Sequence, residues 1–402
     1  MIRLLRGAAP RALLLSTLLT PSLVAQEDAP ERDPDQEGLP LPVGRHLRYT
    51  AGEGSWMSVD VSPDGTTLVF DHLGDLFTVP IRGGRATRLT RGMGFDAQPR
   101  FSPDGTHVVF TSDRDGGENL WIVSTDLTDT VQVTKGKHDR YVSPEWTPDG
   151  EYVVATKGSK LHLWHRTGGG GVQLVREPEN LRTVGAAFGA DARWIWFSGR
   201  LAQGSLYNNG MNLYQLAVYD RETGEISGRS DRWGGVFRPT LSPDGRWLVY
   251  GSRHVADTGL RLRDLATGEE RWLAWPVQRD DQESSSQRDV YPGMSFTPDS
   301  REVVATYGGK IWRIPVDGSD PVEVPFTVEV DLPIGPEVDF SYRVEDTQTF
   351  VAKQIRDAVP SPDGTRLAFT VLSELYVMAW PDGSPRRLAP GQDAVQQHPA
   401  WS

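Results

Sequence analysis

The sequence predicts an all-β chain: a β-propeller of four-stranded antiparallel blades, about seven of them plus an incomplete eighth. Three observations carry this. First, a four-residue corner recurs at Ser62-Pro63-Asp64-Gly65, Ser102-Pro103-Asp104-Gly105, Thr147-Pro148-Asp149-Gly150, Ser242-Pro243-Asp244-Gly245, Thr297-Pro298-Asp299-Ser300 and Ser361-Pro362-Asp363-Gly364, with a worn copy at Gly189-Ala190-Asp191-Ala192. Its spacings of 40, 45, 42, 53, 55 and 64 residues start at the length of one propeller blade and widen along the chain. Second, each intact corner is followed by a short β-rich run. Third, no stretch between corners sustains a helical apolar period.

The corner has a mechanical reading. Proline presets φ at the second turn position, aspartate bonds the backbone two residues on, and glycine supplies positive φ. Second strands follow as Thr67–Phe70, His107–Phe110, Tyr152–Ala155, Trp247–Tyr250 and Arg366–Phe369, and third strands as Asp75–Val79, Asn119–Val123, Lys310–Ile314 and Glu374–Met378. A glycine-bearing turn then leads to a fourth strand, as in Ala86–Thr90 and Arg386–Ala389, which completes a blade.

The ends read differently from the repeats. Residues 1–25 have the form of a secretory signal peptide. Arg3, Arg6 and Arg11 precede an apolar run, 12–19, too short to cross a bilayer, and Leu23-Val24-Ala25 supplies a cleavage-type tripeptide. This predicts a periplasmic or secreted protein with no membrane span after cleavage. Residues 26–42 are acidic and proline-bearing, a flexible linker, and 43–402 form the propeller region. His46–Gly52 resembles the fourth strand of other blades (compare Thr87–Gly92), so the chain is expected to join the ring by donating an outer strand. Gln397–Ser402 matches a first strand and aligns with Ser143–Thr147, stopping where Pro-Asp-Gly should follow. The expectation is a fragment truncated at its C-terminal edge, because an incomplete blade leaves an unpaired sheet edge; the alternative is a terminal strand that closes the ring by itself.

Composition excludes some functions. With 38% hydrophobic and 24% charged residues, the 402-residue chain is that of a folded protein. Its net charge of −12, with no basic stripe interleaved with aromatics, argues against nucleic acid as a partner. It contains no cysteine, which removes disulfides, thiolate metal sites and cysteine nucleophiles.

A search for catalytic groups returns little. The eight histidines are His46, His72, His107, His138, His162, His165, His254 and His398, with no His-x-His pair; His162 and His165, three apart in a strand, face opposite ways. Gly293-Met294-Ser295 begins like a nucleophile elbow, but Thr297 stands where the last glycine is needed. There is no Walker loop or dinucleotide fingerprint, and Gly168–Gly171 reads as a turn. Asp113–Glu118 resembles a short calcium loop with the wrong spacing, better read as a hairpin turn. No catalytic, cofactor-binding or metal residues are therefore assigned. Two polar patches remain as candidate channel or interaction residues: His138, Asp139 and Arg140, and Arg356 with Asp357. Insertions after residue 199, around Gln278–Asp289 and over Pro325–Glu345 are candidate contact loops.

The repeated corners and their β-branched strands resemble TolB-type, WD-repeat-like propeller repeats over most of 43–402. A narrower resemblance lies at Phe350-Val351-Ala352-Lys353-Gln354-Ile355-Arg356-Asp357, leading into Ser361-Pro362-Asp363-Gly364. With the signal peptide and the insertion at Val330–Glu345, it is similar to the N-terminal propeller of secreted amidohydrolase-family proteins, in which a metal-dependent barrel follows. The resemblance implies a non-catalytic part of a larger hydrolase, acting in domain docking, substrate access or protein interaction. It implies no cofactor in this chain, and it places any divalent metal in a C-terminal domain outside it. The implied partner is that catalytic domain, or a periplasmic protein. Three readings stay open beside it: a stand-alone TolB-like interaction module, the propeller of a tricorn-like or prolyl-oligopeptidase-like peptidase, and a lactonase-like enzyme with a metal in its channel.

Overall fold

The computed structural model describes residues 42–202, 212–283, 288–335, 347–391 and 394–402. The expected signal peptide, 1–25, and the expected linker up to residue 41 lie outside the described residues, as do parts of the three insertions. The chain divides into two compact units, 1–337 and 338–402. The described residues contain strands and no helix. Seven four-stranded antiparallel sheets form, each in simple strand order. Blades one to six span 59–88, 97–132, 141–173, 181–228, 237–274 and 295–324 in the first unit, and blade seven spans 356–387 in the second.

The corners fold as their chemistry requires. In blade one, Ser62 Oγ donates to Asp64 Oδ1 (2.6 Å), Thr66 N donates to the same oxygen (3.0 Å), and Thr67 N returns to Ser62 Oγ (2.9 Å). The same triplet recurs around Asp104, Asp149, Asp244, Asp299 and Asp363. Gly105 holds φ at 72°, where a Cβ would be strained and would stand 3.3 Å from Pro63 of the preceding blade. In blade six Ser300 takes the glycine's place at φ 60°, and its hydroxyl accepts the Asp244 amide (3.1 Å) across to blade five.

Six blades close on one another. Among its described residues the first unit holds six apolar clusters, one per blade interface. The decisive one joins blade six to blade one, where Val304, Ile311 and Val324 pack with Met57, Val59, Leu68, Phe70 and Phe77. Polar bonds repeat the closure: Thr306 Oγ1 donates to Met57 O (2.6 Å) and Val59 N to Gly293 O (3.0 Å). At the corners, Pro298 of blade six lies against Gly65 of blade one, as Pro63 lies against Gly105. Burial drives this arrangement, since each fully buried large apolar side chain contributes roughly 1.5–3 kcal/mol.

The expectation that His46–Gly52 donates an outer blade strand is corrected. Arg45–Ala51 pairs antiparallel with Phe326–Ile334, Tyr49 opposite Val330, and Phe326–Thr327 pairs parallel with Gly84–Arg85. Blades one and six already own their fourth strands, Thr87–Arg88 and Val322–Val324, so no position was vacant. The three-stranded sheet instead covers the seam between these two blades. Phe326, Val328 and Val330 point inward into the seam cluster, while Thr327 and Glu329 face out, the alternation of a half-buried strand. Part of the expected insertion is thus a clasp strand.

In the second unit, Arg356–Pro360, Arg366–Val371, Glu374–Ala379 and Arg386–Arg387 make blade seven. The predicted alignment of Trp401 with Trp146 holds in detail. Trp401 Nε1 donates to Val359 O (3.0 Å), as Trp146 Nε1 does to Arg100 O (3.1 Å), and His398 and Ser143 share positive φ (53° and 55°).

Candidate functional site: the axial channel

The first strand of a blade lines the axis of the ring, and here it is bent by local chemistry. In blades two to five the register slips by a bulge within this strand, between Ala97 and Arg100, Val142 and Glu145, Val184 and Ala187, and Phe237 and Thr240. Gln98, Ser143, Gly185 and Arg238 occupy these bulges at positive φ, and a proline follows three of them. A bulge re-aims the side chains beside it. Gln98, Ser143 and Arg238 are buried.

These residues form one hydrogen-bonded network. Asp71 accepts from Ser58 N (2.6 Å) and from Gln98 N (2.8 Å). Gln98 Oε1 accepts from Ser143 N (2.9 Å), and its amide nitrogen donates to Arg288 O (2.7 Å). Ser143 Oγ donates to Asp289 Oδ2, which also receives Arg238 NH1 (2.6 Å). Ser58 Oγ accepts from Gly293 N (3.0 Å). Nearer the corners, Arg100 bonds Met294 O (3.0 Å) and pairs with Asp60 and Glu145 (both 3.3 Å). A Cβ on Gly293 would lie 3.0 Å from Arg238 NH2 and 3.2 Å from Arg100 NH2, so glycine admits both guanidinium groups to the axis.

Buried charge explains the electrostatics. Burial pushes the Asp71 carboxyl up to about 6, against the two amides that stabilise its charge. Burial also raises Glu145, opposed by Arg100 and reinforced by Asp60, and lowers Arg238, opposed by Asp289. Removing one partner of such a pair leaves an uncompensated ion, so the network holds itself in place.

Sequence reasoning placed the candidate residues elsewhere. His138 is exposed, Asp139 pairs with Lys157 (2.9 Å) and Arg140 with Glu118 (3.2 Å), all apart from the axial network. Arg356 and Asp357 belong to the second unit. There they line an open cavity of about 390 Å³ with Thr370, Gln396 and His398, and Asp357 lies 3.4 Å from the His398 ring. The axial residues Arg100, Glu145, Arg238 and Asp289 were missed. The signal that could have found them is the X-Pro pair inside a strand, at Gln98-Pro99, Ser143-Pro144 and Arg238-Pro239.

The chemistry available on the axis is limited. Among the described residues, no hydrogen bond or ion pair of an imidazole reaches the axial network. His46 bonds Asp331, His72 Glu53 O, His107 Thr106, His162 Lys160 O and His165 Thr167. His254 packs on Trp272 and Trp275. Among the described residues no three His, Asp or Glu side chains are placed to hold a metal ion. The carboxylates of the Asp113–Glu118 turn bond Phe95 N, Asn119 and Arg140. Among the described residues no helix is long and apolar enough to cross a membrane.

Comparison with known proteins agrees with the architecture. Residues 56–167 match the family described as Tricorn protease N-terminal beta propeller domain. TolB from Acinetobacter baumannii is 16% identical over 69% of this chain and 67% of its own, with a TM-score of 0.51. The tricorn protease is 14% identical over 86% of this chain, also at 0.51, and the chain spans 32% of that protein. No curated protein matches the chain. At these identities the likeness shows the fold.

Proposed function

We propose that this chain, a TolB-like β-propeller, is the non-catalytic region of a larger secreted or periplasmic hydrolase, acting in domain docking, substrate access or protein interaction. The observation that carries the reading is the packed axis. The groups a channel enzyme would turn toward a substrate are spent on one another: Ser143 on Asp289, Asp289 on Arg238, Arg100 on Glu145 and Asp60. A channel hydrolase needs a base beside a nucleophile, or a metal-bound water. Among the described residues, no imidazole hydrogen bond or ion pair reaches the axis to supply a base. The leader-like residues 1–25 support export, and the C-terminal domain implied by the resemblance is the seat for catalysis and any divalent metal.

Two parents compete. The run Phe350–Asp357 favours the amidohydrolase-like one. The match of residues 56–167 favours a peptidase parent of the tricorn kind. The test has two arms. The purified chain is assayed against peptide, ester, amide and lactone substrates with and without added Zn²⁺ or Mn²⁺, and no turnover is expected; turnover abolished by Ser143→Ala or Asp289→Asn would overturn the reading. Sequencing the gene past codon 402 then separates the parents: His-x-His on a barrel strand supports the first, a serine nucleophile the second, and an immediate stop codon contradicts both.

A further inference from the structure

The outer flank between blades four and five holds a groove that the axial network does not use. Its cavity measures about 430 Å³ and is lined by Arg229, Arg232, Trp233, Tyr250, Arg263 and Glu270. The position follows from the fold. Ile226–Gly228 is the outermost strand of blade four, and the chain leaving it, 229–233, runs beside the outer strands of blade five, Asp257–Asp264 and Glu270–Ala274. Cross-strand register puts Arg263 opposite Glu270 and Arg261 opposite Trp272.

The charges in the groove do not balance. Glu270 bonds Arg232, receives the Tyr250 hydroxyl (2.8 Å), and lies 3.7 Å from Arg261 and 3.6 Å from Arg263. One carboxylate therefore faces three guanidinium groups. The Nε atoms of Arg261 and Arg263 are buried and, among the described residues, have no hydrogen-bond partner. Arg229 adds a fourth cation, exposed and, among the described residues, bonded only through its backbone, against the exposed Asp231. In a chain of net charge −12, this local excess of positive charge is a specific feature. Beside it Trp233 is 99% exposed, a large apolar surface that a lone anion would leave uncovered.

We propose that this groove binds an acidic peptide segment, placing a carboxylate among Arg229, Arg232 and Arg263 and an apolar side chain on Trp233. Glu270 shows within the molecule how a glutamate side chain is held there. Guanidinium groups favour paired hydrogen bonds to carboxylates, and an exposed tryptophan flanked by arginines has the composition of a binding hot spot. The groove is open to solvent, which suits a segment lying across it. This inference stands apart from the identity of any parent hydrolase, because the groove belongs entirely to the first unit.

The test is fluorescence anisotropy on the full chain. The probe is a labelled ten-residue peptide of alternating glutamate and leucine, with a glutamine-for-glutamate peptide as control. Saturable binding of the glutamate peptide is expected, at least tenfold tighter than the control and weakened by salt. Arg229→Glu, an exposed position, should weaken it about tenfold, and Trp233→Ala several-fold, with unchanged melting temperature in both. Equal binding of the two peptides, or an unaltered affinity in Arg229→Glu, overturns the proposal. So does displacement by inorganic phosphate at the peptide's own concentration, which would mark a small-anion site.

Discussion

Replacing Asp75 by asparagine should stabilise the ring, and by more as pH rises. Asp75 begins the third strand of blade one with a side chain only 2% exposed, and neither carboxylate oxygen has a hydrogen-bond partner. Arg88 NH1 stands 3.3 Å away, while buried Asp96 opposes a second charge. Burial pushes the carboxyl up to about 7 from its usual 3.8, against Arg88. The folded state thus holds a proton that the unfolded chain releases above pH 4. Stability is full at acid pH and falls as pH rises from about 4 to about 7. Three pH units correspond to about 4 kcal/mol as an upper bound. Blade two shows what the amide does: at the equivalent position Asn119 donates to Gly136 O (3.0 Å) and accepts from Thr134 Oγ1 (2.9 Å) and Gly136 N (2.8 Å). Thr90-Arg91-Gly92 repeats Thr134-Lys135-Gly136 in sequence, but Gly92 sits at φ 124° and neither Thr90 nor Gly92 bonds Asp75, so Asp75→Asn acts by removing the buried charge and not by gaining Asn119's partners. Arg88 keeps two backbone acceptors, Asp331 O and Glu329 O, which limits the loss of its ion pair. The net gain at pH 8 should be about 2 kcal/mol, shrinking toward zero at pH 4.5. Thermal melts of both proteins at the two pH values measure it. A variant less stable than wild type at pH 8 would show that the carboxylate works as Arg88's partner, and would refute the argument.

Other outcomes follow from the same structure. Val328→Asp puts an unpaired charge into the seam cluster and should destabilise the first unit by roughly 3–5 kcal/mol, read as lost thermal stability and proteolysis near residues 52–58. Asp289→Ala strips Arg238 of its buried partner and should cost a similar ~3–5 kcal/mol by urea denaturation, whereas Asp139→Ala, on the exposed loop, should change stability by about 0.5 kcal/mol or less. At the corners, hydrogen bonding from Ser102 holds Asp104 down to about 2. Its stabilisation is therefore present above about pH 4 and is lost as pH falls toward 2. Asp104→Ala should cost ~1 kcal/mol at pH 7 and nothing measurable at pH 2 in parallel melts.

The parts of the fold legible in the sequence are those set by short-range chemistry. The Pro-Asp corner closes through hydroxyl, carboxylate and amide groups within five residues, so the strands on either side fall where it puts them: Asn119–Val123 was expected and Asn119–Ser124 is found. Arg45–Ala51 misled because Tyr49-Thr50-Ala51-Gly52 looks locally like Leu89-Thr90-Arg91-Gly92. Its true partner, Phe326–Ile334, lies far along the chain in what read as an insertion. Closure after six blades was hidden for the same reason, since corner spacing counts blades without saying which pair meets. The X-Pro pairs mark where the axial strands bend, but the partners were not legible because Arg100, Glu145 and Asp289 look like solvent-facing charges, and only packing pairs them. Conversely, His138, Asp139 and Arg140 were singled out because a loop's composition shows that it precedes a first strand but not where its side chains turn.

Six blades of the first unit close into a ring through their own residues, around an axis whose charged groups pair with one another. Hydrogen–deuterium exchange on the full chain, followed by peptide mass analysis, tests it most directly. Peptides covering 57–61 and 302–307, the seam between blades six and one, should be as protected as those covering 153–156 and 195–198 within the ring. Exchange at the seam faster by orders of magnitude would mean that the six blades do not close there, and would contradict the account.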